Sequence, residues 1–345
     1  MKAAVLEALE RIVVREMPSA DPGPGEIKLR VRACAVCGSD IRIFHHGNPR
    51  VKPPAIIGHE AAGEIIAVGQ GVKKFAVGQR VALGADVPCG QCEWCRNGLG
   101  NNCPDNYAIG YQFPGAFAEE MVLNTMIVDY GPVTPIPDSV TDEEAALAEP
   151  LGCAINGLEM CRLERGDTLC IIGAGPIGCM MIELGRDMGA ERIIMIQRSR
   201  NRLELAKRFG ADNYLSPEDG DVMQAVRDLT AGRGPDVVVT ACGSVEAHEQ
   251  AIAMVAKRGS VNLFGGLAAG ARNLSVPSNL IHYKECYVLG SHGSVPRQHA
   301  LAMQLIRKHT VHVARCISHT FPLDQIGAAL EAAEKHEGLK VMVKP

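Results

Sequence analysis

The chain has no surplus of positive charge: 35 lysines and arginines stand against 39 aspartates and glutamates, a formal net charge of −4. A polyanion such as nucleic acid is therefore not an expected partner, because it needs a basic surface to bind. Long apolar runs are missing as well. The longest near-continuous one, residues 169–182, is too short to span a bilayer and is punctuated by Gly173, Gly175, Pro176 and Gly178. The first seventeen residues carry a charge every few positions and lack the apolar stretch of an export signal. These features lead us to expect a cytoplasmic protein with no membrane partner. In that compartment the thirteen cysteines read as reduced thiols and metal ligands rather than disulfides.

What is present suits two domains, since 345 residues exceed the usual limit of one core. From residue 1 to about 150, short apolar runs (27–31, 62–68, 80–83 and 117–123) alternate with Gly, Pro and Asp clusters, the pattern of an irregular β domain. From about 166 to 290 the rhythm becomes strand, helix, strand, helix. Strands are expected at 168–172, 192–196, 237–240, 260–264 and 286–289, with helical patterns at 202–209 and 222–229. This predicts an α/β fold with a doubly wound parallel sheet. A helix over 300–308 and a strand near 340–343 have no evident core of their own and are expected to pack back on the first domain.

Two motifs carry chemistry. Cys89, Cys92, Cys95 and Cys103 form a C-x2-C-x2-C-x7-C cluster with turn residues between the thiols, as four thiolates converging on one ion require. An iron–sulfur cluster is the rival, but its final spacing is normally three residues rather than seven. Gly173-Ala174-Gly175-Pro176-Ile177-Gly178 follows an apolar strand and opens a helix, the context in which G-x-G-x-x-G marks a dinucleotide site. Gly173 and Gly175 let the backbone approach a pyrophosphate, and Gly178 lets the helix pack on the strand. Together the motifs point to a zinc-containing nicotinamide oxidoreductase.

The second strand of the coenzyme domain ends in Gln197, followed by Arg198, Ser199 and Arg200. An acidic residue there would hold a ribose diol and repel a 2′-phosphate. An amide, a hydroxyl and two guanidiniums instead favour that phosphate, so NADP(H) is expected over NAD(H).

Cys37-Gly38-Ser39-Asp40 and Gly58-His59-Glu60 are weak signals alone. Taken with CGSD at 37–40, GHEAAG at 58–63, VGQRV at 77–81, GAFAEE at 115–120, AEPLGCAIN at 148–156 and GAGPIG at 173–178, they make the chain resemble the zinc-containing medium-chain dehydrogenase/reductase superfamily over nearly its whole length. It is most similar to the polyol (sorbitol) and threonine dehydrogenase branch. The resemblance implies a GroES-like catalytic domain (1–150 and 291–345, with a structural zinc lobe at 89–103), a Rossmann coenzyme domain (151–290) and an active site in the cleft between them. It also implies a homo-oligomer, dimer or tetramer, and two zinc ions per subunit.

Carried over residue by residue, Cys37, His59 and Glu60 look like catalytic zinc ligands, and Glu149 like a carboxylate that binds the ion directly or through water. Asp40 would orient His59, and Ser39 would take the proton from a bound alcohol. The implied reaction is reversible oxidation of a secondary alcohol, most simply a polyol, to a ketone. Where many relatives continue the proton relay with a histidine, this chain has Arg42; His45 and His46 are nearby candidates. Arg42, Arg50 and these histidines make a cationic loop suited to a phosphorylated or acidic substrate. Sugar-phosphate or threonine-type dehydrogenation is thus the nearest alternative, and a non-catalytic NADPH-binding sensor the alternative of another class. The sorbitol-oxidising branch typically has Phe-Arg where this chain reads Ser291-His292-Gly293, and His292 is expected to face the substrate instead.

Overall fold

Along Ile27–Ala35 the side chains of Leu29, Val31 and Ala33 are buried while Arg30 and Arg32 are exposed, the period-two alternation of a strand with one face on a core. The computed structural model describes residues 1–268 and 270–345. These residues divide into two units: 1–153 with 293–309 and 316–345, and 154–292 with 310–315.

In the first unit, strand Ile27–Ala35 pairs antiparallel with Glu60–Val68 on one side and with Lys340–Lys344 on the other. Arg80–Leu83, Val133–Pro135, Ile317–Pro322 and Glu120–Leu123 extend this sheet to seven strands. A three-stranded sheet of Lys2–Ala8, Arg11–Glu16 and Ala55–Ile56 completes the β framework. Its core gathers Leu29, Ile43, Ile65, Leu83, Phe117 and Leu123, all essentially without solvent exposure.

The second unit is a six-stranded parallel sheet in the order Asn213–Leu215, Arg192–Ile196, Thr168–Ile172, Val237–Thr240, Ser260–Leu263, Tyr287–Gly290. Thr168–Ile172 has a neighbour on either side, so the strand order reverses there. The carboxyl ends of strands at such a point are where α/β sheets take ligands.

Two features differ from the sequence reading. The sixth strand, Asn213–Leu215, is only three residues long and half-buried, too brief for an apolar run to mark it. Residues 310–315 go with the second unit rather than the first. Glu183 explains this: it accepts from the His312 backbone N–H at 2.7 Å, lies 3.0 Å from His312 Nδ1, and pairs with Arg315 Nη1 at 2.7 Å.

Candidate functional site

Three donor side chains meet in the first unit. Cys37 lies just past strand Ile27–Ala35 as the N-cap of helix Gly38–His46. Glu60 opens its strand opposite Ala35, with His59 immediately before it. The antiparallel register therefore brings both segments to one place. One donor atom from each of Cys37, His59 and Glu60 lies within 4.8 Å of the others.

Asp40, wholly buried, ties the two segments together. Its Oδ2 accepts the Cys37 N–H at 2.9 Å, its Oδ1 accepts the Gly58 N–H at 3.2 Å, and His59 Nδ1 lies 3.4 Å from that Oδ1. With Nδ1 turned to this carboxylate, Nε2 is left for the donor cluster, and Ser39 Oγ is 3.4 Å from it. Burial alone would depress the imidazole, yet Asp40 and Cys37 hold its pKa well above the ordinary histidine value. Gly58 permits the close approach. Its φ is +93°, and a Cβ there would meet Cys34 Sγ and the Phe117 ring at 3.0 Å.

A thiolate, an imidazole and a carboxylate gathered in a largely buried place form a donor set of the zinc type. Glu60 is also shared. Both its oxygens lie 2.5 Å from Lys340 Nζ, which further donates to the Val36 carbonyl at 3.1 Å. Burial works against the Lys340 ammonium, but Glu60, Cys37 and Glu149 together overcome it and raise its pKa above the ordinary lysine value. Glu149 stands outside the three-residue donor group among the described residues. It is buried in the first turn of helix Ala148–Glu159 and accepts a weak bond from the Cys153 thiol at 3.6 Å. Burial pushes its carboxyl up to about 7; His59 opposes that shift, while Glu60 and Asp86 add to it.

The four lobe cysteines are all free of disulfides. Their sulfurs stand 3.4 Å (Cys92–Cys95), 3.8 Å (Cys92–Cys103) and 3.9 Å (Cys89–Cys95) apart. A tetrahedron with zinc–sulfur bonds of 2.3 Å has edges of about 3.8 Å, so the cluster fits one zinc ion. Without an ion the thiols differ: backbone N–H groups of Gln91 and Cys92 lower the Cys89 thiol to about 7, whereas burial pushes Cys95 up to about 12 and raises Cys103.

In the second unit, Gly175 caps helix Pro176–Met188 directly after strand Thr168–Ile172, with Pro176 and Ile177 in its first turn. A Cβ at Gly178 would lie 1.9 Å from the Gly173 carbonyl oxygen, so this crossing of helix and strand admits only glycine. Gln197 does not project freely: its Oε1 accepts the Ala174 N–H at 2.9 Å and braces the Gly-rich turn. Arg200, expected to meet a phosphate, is taken up by Glu218 (3.2 Å) and Asp219. Arg198 is exposed and has no ion pair within 4.0 Å among the described residues, and Ser199 caps the following helix Arg200–Ala206.

Comparison with known proteins bears on this arrangement. Residues 23–137 match the alcohol dehydrogenase GroES-like domain and residues 176–308 the zinc-binding dehydrogenase family. A sorbitol dehydrogenase of Bacillus subtilis (strain 168) is 33% identical, over 100% of this chain and 97% of its own. The chain belongs to the zinc-containing medium-chain dehydrogenases. An L-threonine 3-dehydrogenase of Pyrococcus abyssi (strain GE5 / Orsay) is 36% identical over 81% of this chain and 78% of its own, which places this dehydrogenase in the polyol and threonine branch. The NADP-bound structure of a Sinorhizobium meliloti 1021 protein, assigned to the zinc-binding dehydrogenases, superposes with a TM-score of 0.93 at 30% identity, covering 100% of this chain and 99% of the other.

Two residues beside the Cys37–His59–Glu60 donor group were not singled out from the sequence. Lys340 gave one faint signal, a lysine inside an otherwise apolar closing strand. Tyr111 gave none; its ring centroid lies 5.9 Å from that of His59, and burial raises its phenol pKa against the pull of His59 and Ser39. His45 and His46, read from the sequence as loop residues with Arg42, lie with it in helix Gly38–His46. His45 lies between Glu10 (2.9 Å) and Glu334 (3.1 Å), which takes it out of a proton relay through Ser39. Cys34, in C-x2-C with Cys37, is wholly buried with its thiol pushed well up by burial, a packing thiol rather than a redox partner. Ser291 is tied to Asn262 at 2.9 and 3.2 Å, and His292 is exposed.

Proposed function

We propose that this dehydrogenase reversibly oxidises a polyol at a secondary hydroxyl to the ketose, with NADP(H) as the preferred coenzyme, and that it works as a cytoplasmic homo-oligomer. The convergence of Cys37, His59 and Glu60 carries this reading. Cys37 and His59 would hold a catalytic zinc, with Glu60 or Glu149 as the exchangeable carboxylate, and the four lobe cysteines a second, structural ion. When bound, zinc supplies Lewis acidity toward an alcohol oxygen, and the nicotinamide supplies a hydride acceptor. Ser39 Oγ, beside His59 Nε2, takes the proton that the alcohol gives up. Asp40 keeps the imidazole turned so that Nε2 faces the donors. Lys340 offsets the Glu60 charge, so the donor set withdraws less positive charge from the metal than a thiolate and a free carboxylate would.

The coenzyme preference rests on Gln197, which leaves no carboxylate at the strand end, and on the exposed Arg198, which has no ion pair among the described residues; Arg200 contributes less, because Glu218 and Asp219 already neutralise it. The decisive experiment is steady-state turnover of polyols and ketoses with NAD(H) and NADP(H), before and after chelation. Chelator-sensitive turnover with at least a tenfold NADP(H) preference, reversed in Gln197→Asp, is expected. Turnover that survives complete removal of zinc, or a preference for NAD(H), refutes the corresponding half of the reading.

A further inference from the structure

The polyol reading locates the reacting carbon but leaves the far end of the substrate without a seat. A cavity of about 450 Å³ in the first unit is walled in part by Arg15, Arg50, Lys52, Tyr111 and Phe113. Three cations and no carboxylate line it. The contrast with the other large hollow of this unit, of about 590 Å³, is instructive: there Arg32 faces Glu64, Arg80 faces Asp142 and Lys344 faces Glu143. Positive charge is balanced in that hollow and left unbalanced in this one.

Arg50 is also held in position. Its backbone N–H donates to Asn48 Oδ1 at 2.9 Å, and its guanidinium donates to the Asn106 carbonyl at 2.8 Å while lying 5.1 Å over the Tyr111 ring. None of these partners carries charge, so the guanidinium keeps its own. Lys52 is exposed and has no ion pair within 4.0 Å among the described residues. Arg15 is partly neutralised by Glu7 at 3.2 Å. Tyr111 joins the two places, because the ring beneath Arg50 is the ring 5.9 Å from His59. Arg50 and His59 thus both lie against the Tyr111 ring, which itself lines the cavity. Of the cationic loop read from the sequence, Arg50 lines this cavity, whereas Arg42, His45 and His46 do not.

We propose, building on the polyol reading, that this cavity seats a terminal oxyanion, so that the substrate is an anionic polyol, a phosphate monoester or an aldonate carboxylate, held by Arg50 and Lys52 while a secondary hydroxyl reaches the metal. The guanidinium offers a planar pair of donors matched to two oxygens of one anion, and the ammonium adds a point charge beside it. Binding energy gained at this remote end then positions the reacting carbon.

The test compares kcat/KM for sorbitol, sorbitol 6-phosphate and gluconate on the zinc-loaded full-length enzyme, its Arg50→Gln and Lys52→Gln variants, and Lys73→Gln, an exposed lysine outside the cavity. One anionic compound is expected to exceed sorbitol at least tenfold. Arg50→Gln should cut that ratio at least tenfold and Lys52→Gln several-fold, with Lys73→Gln leaving it in place. Preference for the phosphate identifies a monoester seat and preference for gluconate a carboxylate seat; either supports the proposal. Sorbitol equal to or better than both, or a ratio unmoved in both cavity variants, overturns it. Should none of the three turn over, calorimetry separates the two readings. Binding of sorbitol 6-phosphate or gluconate that Arg50→Gln or Lys52→Gln abolishes upholds the cavity while the polyol oxidation reading falls, and no binding of either sinks the cavity as well.

Discussion

Lys340 is the counter-charge of the buried Glu60 carboxylate. With Glu60 only 1% exposed, removing the ammonium leaves an unpaired charge in the interior, and breaking such a pair costs about 3–5 kcal/mol. Lys340→Met should lower the unfolding free energy by that amount in denaturant titrations, and Glu60→Gln added to it should recover much of the loss. His299 supplies a second, pH-dependent test in the same unit. It is wholly buried with Nδ1 2.7 Å from Thr134 Oγ1, and burial lowers its pKa from 6.5 to about 4. Above pH 6.5 both folded and unfolded chains carry it neutral. Between pH 6.5 and 4 only the unfolded chain takes up the proton, so stability falls with pH over that window, by on the order of 3 kcal/mol in all. His299→Gln should flatten that part of the stability profile. Cys37 and His59, weak signals in their short Gly-containing motifs, were singled out through the family resemblance, and the structure brings their side chains together; Lys340 and Tyr111 were not singled out, because each meets a partner far along the chain that only the sheet register and a ring contact reveal.

Helices, strands and the cysteine lobe were read more fully. Helix Val222–Leu229 and strands Thr168–Ile172, Arg192–Ile196 and Val237–Thr240 lie where apolar periodicity places them, since each buries a regular face in the second unit's core. Strand Asn213–Leu215 escaped because an edge strand of three half-buried residues has no pattern to show. The Gly-rich turn can be tested directly. Gly178→Ala puts a methyl group 1.9 Å from the Gly173 carbonyl oxygen, and overpacking of this kind costs about 1–3 kcal/mol or more. Lower thermal stability together with weakened coenzyme binding, measured by fluorescence titration, is the expected outcome. For the lobe, metal analysis should find two zinc ions per chain in the unmodified protein and one in each of Cys95→Ser and Cys37→Ser. The two should differ in consequence: Cys95→Ser lowers the melting temperature, whereas Cys37→Ser chiefly abolishes turnover.

The second unit's sheet ends at Tyr287–Gly290, where Tyr287 is 42% and Val288 37% exposed. An open edge with apolar side chains invites pairing with a second copy. Light scattering should find a dimer or larger assembly, and Val288→Lys should shift it toward the monomer. Sequence alone suggested two domains but did not assign a short stretch, 310–315, to the second; there Glu183 bonds His312 and Arg315, and Val311 and Val313 are buried, a stretch too short to declare its partner.

The first unit is discontinuous, and this shapes how the protein is made. Glu60 and the lysine that neutralises it are 280 residues apart, with the whole of 154–292 lying between them in the chain. At roughly 5–20 residues per second on the ribosome, that interval lasts on the order of a quarter of a minute to a minute. Throughout it the nascent first unit lacks strand Lys340–Lys344 and carries a carboxylate without its ammonium, while the second unit, which ends at residue 315, is translated in full before that strand emerges. The order of assembly thus runs against the order of synthesis, with the part translated first completed last. A lesion in strand Lys340–Lys344 therefore strikes the first unit at its last-made part, the one that brings the ammonium to Glu60.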